Sequence, residues 1–251
     1  MIIHPILENL RKLRLKGAAQ ALELQLNNPE IKHLQFEERL SLLIDHEVSF
    51  RDQQQLQKRL TKAKFKNQAC IPDVIYEPSR KLDKSLILSL ESGRWINEHQ
   101  NLLITGATGT GKSYLAEAIA HSACLKGFSV LRVQFPRILH QLTAAKGDST
   151  YERLQTNLAK VDLLLIDDFG ISPFSDEHRR DFLEIADERY NRKSTIITSQ
   201  LPVSSWHEAI GDSTLGDAIL DRFIHNAYRM LLEGESMRKK NKKEKIHENI
   251  L

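Results

Sequence analysis

Cysteine is nearly missing from this chain: two in 251 residues, Cys70 and Cys124. They lie far apart and match no zinc spacing, which excludes a disulfide scaffold or a thiolate metal knuckle. That usage points to a reducing cytosol with buried or incidental thiols. Long apolar runs are missing too. None approaches the ~20 residues needed to span a bilayer, so no membrane segment is expected. The opening Met1-Ile-Ile-His-Pro-Ile6 has no charged segment ahead of a long apolar core, so no secretory signal is expected either. Charge of one sign does not dominate. Thirty-six basic against 33 acidic residues leave a formal net charge of +3 and a pI of about 8.8. That balance permits a nucleic-acid partner without demanding one. Internal repeats are also absent. With 27% charged and 41% apolar residues, the chain has the composition of one or two globular domains with a sizeable core.

The first part reads as wholly helical. Leu7, Leu10, Leu13 and Leu15 begin an amphipathic pattern that Ala18, Ala19, Leu22 and Leu26 continue, with Gly17 as the expected break. A second helix is expected from near Phe36, carrying Leu40, Leu43, Ile44 and Val48 and running on through Arg51 to Lys66. Residues 1–70 are therefore read as an all-helical N-terminal domain. Residues 71–84 carry two prolines that oppose continuous helix and read as a linker. A short helix is expected around Leu86 to Trp95. From residue 101 the pattern changes. Strand-length apolar runs at 101–105, 129–135, 161–166 and 194–199 alternate with helix-like segments at 113–126, 136–145, 151–159 and 176–190. Such alternation predicts an α/β core, a parallel sheet flanked by helices, over 85–237. Residues 238–251 form a basic tail.

The most informative string follows the first of these strands: Gly106, Ala107, Thr108, Gly109, Thr110, Gly111, Lys112, Ser113. It fits G-x-x-x-x-G-K-[ST] between a strand and a helix, the setting in which the motif cradles phosphates. Glycines let consecutive backbone N–H groups face one point, and the following helix adds its positive end. Lys112 would reach the β- and γ-phosphates of ATP, and Ser113 would hold Mg2+. Tyr114, next in the helix, is counted with the nucleotide-binding residues. One strand–helix–strand unit later, the apolar run from Val161 ends in Asp167-Asp168. Beside a phosphate loop, Asp167 would help hold Mg2+ and Asp168 would orient and polarise water. The run Ser194 to Gln200 also ends in polar groups. These either sense the γ-phosphate or simply terminate a strand.

Arg222 lies in a helix-like stretch after Gly216. Its fixed charge suits a phosphate across a subunit contact, or an intrahelical pair with Asp217 or Asp221. The basic run 238–245, with Lys239, Lys240, Lys242 and Lys243, and the segment with Lys62, Lys64 and Lys66, suit DNA phosphates or plain solvent.

Taken together, these strings resemble the IstB/DnaC-like branch of the AAA+ P-loop NTPases. The closest parts are 101–113, Asp162 to Gly170 (with Asp-Asp-Phe-Gly), Thr195 to Pro202 followed by Trp206, Asp217 to Phe223, and Gly234 to Arg238, which looks like the family's closing strand. The resemblance covers nearly the whole chain and is closest to the IstB helpers of insertion-sequence transposition. It implies an ATP hydrolase that oligomerises with ATP, binds duplex DNA with little sequence preference and assists a transposase. A DnaC-like replicative helicase loader is the alternative. A metabolic P-loop kinase is disfavoured, because nothing in the sequence offers a small-substrate site. By position, the resemblance makes Lys112 and Ser113 Walker A residues, Asp167 and Asp168 Walker B residues, and Arg222 the arginine finger. Gln200 stands where the family often has Asn as its first sensor, a departure. No C-terminal helical lid is expected, and Arg238 is the candidate to stand in partly for its sensor.

Overall fold

The computed structural model describes residues 3–237, so Arg238 and the basic tail lie outside the described residues. The chain divides into two compact units, residues 1–58 and 59–251. No helix among the described residues is long and apolar enough to cross a membrane.

The first unit is helical: α1 (Ile3–Lys12), α2 (Lys16–Asn27) and the beginning of α3 (Phe36–Ala63). The break between α1 and α2 does not fall at Gly17. It falls at Arg14, whose φ is 60°, with a turn closed by Arg14 N–H on the Arg11 carbonyl at 3.0 Å. Gly17 sits in the first turn of α2 for a different reason. A Cβ there would meet Phe50 Cβ at 2.7 Å and the α3 backbone at Glu47 Cα and His46 O, both at 2.9 Å. Glycine lets the two helix backbones approach. Glu47 then turns its buried carboxylate onto the Ala18 N–H at 3.0 Å, capping the start of α2. Burial alone would raise the Glu47 carboxyl, but Arg51 and the Ala18 and Gly17 N–H groups outweigh it and hold it below its usual value.

In the second unit, residues 71–84 pack down as two 3-10 turns, Ile71–Asp73 and Pro78–Arg80, burying Ile71, Val74 and Arg80. α4 (Lys84–Glu91), capped by Asp83 on the Leu86 N–H, and α5 (Arg94–Asn97) lead to the sheet. The alternation then runs β1 (Asn101–Gly106), α6 (Lys112–Leu125), β2 (Val130–Gln134), α7 (Phe135–Gly147), α8 (Tyr151–Lys160), β3 (Leu163–Phe169), α9 (Asp176–Arg189), β4 (Ser194–Ser199), α10 (Trp206–Ile210), α11 (Ser213–Ile224) and β5 (Ala227–Leu232). The five strands are all parallel, in the order β2-β3-β4-β1-β5. Burial on both faces explains the continuous apolar runs 102–104 of β1 and 163–166 of β3, while β4, buried as fully, has only Ile196 and Ile197 between polar residues.

Aromatic rings are few but concentrated. Phe135 lies 4.9 Å from both Phe169 and Phe174, and Phe169 lies 4.7 Å from Trp206. With Phe182 and Phe223 they pin α7, α9, α10 and α11 to the end of β3. The closing strand is β5; of the expected closing segment Gly234 to Arg238, the described residues 234–237 form no strand. Gly234 has φ 97°, and the chain beyond it folds back so that the Met237 N–H donates to the Gly109 carbonyl at 2.9 Å. Among the described residues no helical lid follows β5.

The Gly17 contact yields a test of the helical unit. Gly17→Leu improves helix propensity, yet it should destabilise that unit by about 1–3 kcal/mol through overpacking. Urea denaturation measures it. An unchanged or raised midpoint would show that α2 and α3 do not approach through Gly17.

Candidate nucleotide site

Parallel strands deliver their C-terminal ends to one edge, and β4 lies between β1 and β3. The loop after β1 and the acids ending β3 therefore flank the end of β4. The loop needs its glycines. Gly109 and Gly111 have φ of 87° and 94°, and a Cβ on them would meet Ser236 Oγ at 2.3 Å and Arg80 Nη2 at 2.8 Å. Gly111 leads directly into α6, so the loop's N–H groups and the helix N-terminus converge. Lys112 folds back over the loop, its Nζ 2.8 Å from the Ala107 carbonyl. Thr110 Oγ1 donates to the same carbonyl at 2.9 Å.

Ser113 begins the cluster below the loop. Its hydroxyl donates to Asp167 Oδ1 at 2.8 Å, and Thr198 Oγ1 donates to the same oxygen at 2.6 Å. Arg132 Nη2 holds Asp167 Oδ2 at 2.6 Å. Asp167 is only 2% exposed, so its charge depends on these three donors. Asp168 is placed differently. The β3–β4 register shifts between Ile166 and Phe169, and Asp168 takes φ 64°. This left-handed kink, which Asp tolerates, turns its side chain out of the ladder to accept from Gln134 Nε2 at 3.1 Å. The Asp168 N–H donates to Thr198 Oγ1 at 3.1 Å.

A hollow of about 430 Å3 opens here, within the size range of small-ligand sites. Thr108, Gly109, Gly111, Lys112, Ser113, Tyr114, Asp168 and Gln200 line it, along with Asn67, Asp73, Ile75, Arg80 and Met237. Burial pushes the Tyr114 hydroxyl above its ordinary pKa and the Arg80 guanidinium below its own. The donor set fits a magnesium nucleotide: backbone N–H groups and Lys112 for phosphates, and the hard oxygens of Ser113 and Asp167 for the cation.

Gln200 stands just past β4, exposed, accepting from Thr108 Oγ1 at 2.6 Å. The residue between the strand ends is instead Thr198, which touches both acids. Arg222 is, among the described residues, the expected site residue that the fold keeps away from the loop. Asn101, at the opposite end of β1, donates from Nδ2 to the Arg222 and Phe223 carbonyls at 3.3 and 3.2 Å. About 17 Å of strand, at ~3.3 Å per residue, separates that end from the loop. The Arg222 guanidinium pairs with Asp187 of α9 and donates to the Ala218 carbonyl at 2.9 Å. Asp217 and Asp221 are not its partners in these contacts.

Sequence reasoning passed over Arg80, Arg132 and Gln134. Arg80 is 5% exposed and donates from Nη2 to the Thr110 carbonyl at 2.9 Å and from Nη1 to the Ile75 carbonyl at 2.6 Å. It ties the loop to the segment before α4. Lysine cannot span both carbonyls. Arg80→Lys should cost about 1.5–3 kcal/mol of stability and weaken ATP binding. Denaturation and nucleotide titration check this, and wild-type values in both would remove Arg80 from the loop's support.

Comparison with known proteins places this geometry in a family. The IstB-like ATP binding protein family matches residues 8–245. The provisionally named insertion sequence ATP-binding protein y4pL of Sinorhizobium fredii is 46% identical over 243 residues, covering 97% of this chain and 99% of that protein. A similarly named protein of IS1162 from Pseudomonas fluorescens is 44% identical over 206 residues, covering 82% and 89%. Among solved structures, DnaI superposes with a TM-score of 0.58 at 22% identity, covering 66% of this chain and 91% of that one. The DnaC helicase loader gives 0.55 at 20% identity, covering 68% and 99%. At those identities the structural likeness is one of fold, an AAA+ P-loop core. The chain belongs to the IstB-like ATP binding protein family.

Proposed function

We propose that this protein is a Mg2+-dependent ATP hydrolase that assembles on duplex DNA and assists an insertion-sequence transposase. The relatives' names connect them to insertion sequences and ATP. The observation that carries the reading is the placement of two groups at opposite ends of β1. The phosphate loop, Ser113 and Asp167 gather at one end, while Arg222 is held at the other by Asn101. An arginine so placed serves a nucleotide only on a second copy of the chain.

In this reading Lys112 and the loop N–H groups bind the phosphates. Ser113 and Asp167 hold the cation, which supplies charge neutralisation between phosphates. Asp168 orients the attacking water once it leaves Gln134, and Gln200 reports on the loop through Thr108. Lys62, Lys64 and Lys66 are exposed and suit DNA phosphates. The tail lysines join them as sequence-based candidates. Few contacts per subunit make useful affinity depend on an oligomer, in which linked sites multiply.

Asp168→Asn keeps size and removes the charge that polarises water. Turnover should fall by about 100-fold or more while ATP binding persists. Unchanged turnover would move the water-orienting role elsewhere.

Arg222→Ala should bind ATP and hydrolyse it poorly. Mixing it with Lys112→Ala should restore activity, because some mixed interfaces pair an intact loop with an intact arginine. No rescue at any ratio, with co-assembly shown, would count against action between subunits.

DNA binding should be stimulated by ATP, weakly dependent on sequence and steeply dependent on salt. Each neutralised phosphate adds a slope of roughly −0.9 to log affinity against log salt. Titrations of unrelated duplexes at several salt concentrations, with and without ATP, test it. Tight salt-insensitive binding by a monomer would overturn it, and capture of a replicative helicase with no duplex binding would favour a loader.

A further inference from the structure

Arg132 lies in β2, outside every nucleotide-binding motif, yet its side chain is only 12% exposed between two buried acids. One edge of its guanidinium grips Asp167 Oδ2 at 2.6 Å. The Nε edge lies 2.8 Å from Glu117 Oε1, at an angle too sharp for a hydrogen bond, so that contact is chiefly electrostatic. Glu117 belongs to α6, one turn after Ser113 and so on the same face of the helix. Four side chains therefore close a ring: Ser113, Asp167, Arg132 and Glu117, with the last returning to the helix of the first. The Glu117 side chain is 1% exposed, and the chain entering the core completes its pairing. The Lys66 N–H donates to Oε1 at 3.3 Å, and the Asn67 N–H and Nδ2 donate to Oε2 at 2.7 and 3.1 Å. Asn67 also lines the nucleotide hollow.

A buried carboxylate with one partner is free to rotate; one gripped at both oxygens is not. Arg132 takes Oδ2 and leaves Oδ1 facing Ser113 and Thr198. We propose that Arg132 is the positioning residue that fixes Asp167 for the magnesium nucleotide, and that Glu117 makes this grip depend on the segment Lys66–Asn67. This rests on the reading of Asp167 as the group that holds the cation. The segment carries Lys66, one of the lysines that suit DNA phosphates. Order at 66–67 and the set of Asp167 are then two ends of one buried charge chain, with no gap in contact between them.

The test reads Mg2+ dependence, not turnover alone. ATP binding is titrated against Mg2+ for the wild type, Asp167→Asn, Arg132→Met, Arg132→Lys and Glu117→Gln, with amide hydrogen exchange at residues 66–67 in parallel. Loss of a group that orients a metal ligand typically weakens metal affinity by about 10–100-fold. Arg132→Met should raise the Mg2+ requirement by about tenfold or more on that scale. Binding of ATP without Mg2+ should stay close to wild type. Arg132→Lys should recover part of the shift, and Glu117→Gln should shift the requirement the same way and speed exchange at Asn67. The Arg132→Met, Glu117→Gln double variant should fall short of the product of the two single effects, because both act in one network.

If Asp167→Asn shifts the requirement and folded Arg132→Met does not, the positioning role is overturned while the site reading stands. If Asp167→Asn itself has no effect, the site reading falls and the inference with it. Should Arg132→Met fail to fold, Arg132→Lys and Glu117→Gln decide, and wild-type Mg2+ dependence in both would overturn the proposal.

Discussion

The Asp167 carboxylate is the charge around which the core is organised. It is buried at the end of a strand, where an unpaired ion costs several kcal/mol. Every element near it contributes to offsetting that cost. The helix after the phosphate loop sends Ser113, β4 sends Thr198 and β2 sends Arg132. These three donors also tie α6, β4 and β2 to the end of β3. A parallel sheet with β4 between β1 and β3 brings a hydroxyl from the middle strand between the two functional ends.

The second acid is governed by the backbone. A register shift and a left-handed residue release Asp168 from the ladder that holds Asp167. Two adjacent carboxylates thus acquire separate surroundings, one clamped by donors and one half-exposed on Gln134. In the proposed mechanism that separation would let one group hold a cation while its neighbour handles water. The aromatic cluster begins one residue later at Phe169, so the kink is anchored by rings from α7, α9 and α10. Core packing and site geometry meet at the Asp-Asp-Phe sequence.

At the other end of the sheet the fold does the reverse and keeps groups apart. Asn101 ties the start of β1 to the last turn of α11, which holds Arg222 a strand's length from the loop. In the proposed mechanism, a site that needs Arg222 would be completed only by a second copy of the chain. The proposed assembly follows from that spacing rather than from any exposed apolar patch.

The local parts of the site were legible in the amino-acid sequence because they depend on spacing along the chain. Gly106 to Ser113 must be a strand–turn–helix junction to be compact, and the apolar run into Asp167-Asp168 must be a buried strand. The alternation of elements likewise dictated a parallel α/β core. Features that depend on what lies across the fold could not be read that way. Gly17 looks like a helix break until α3 is seen against it. Gly234 to Arg238 looked like a strand, but β5 had already closed the sheet and Met237 turns back to Gly109. Arg80 sat in what reads as a proline-bearing linker, and Arg132 in a strand that carries no motif. Their roles come from carbonyls and carboxylates up to 35 residues distant in sequence. Period and motif report a residue's neighbours along the chain. Only tertiary packing decides which buried charge meets which, because that pairing is set by strand order and side-chain reach.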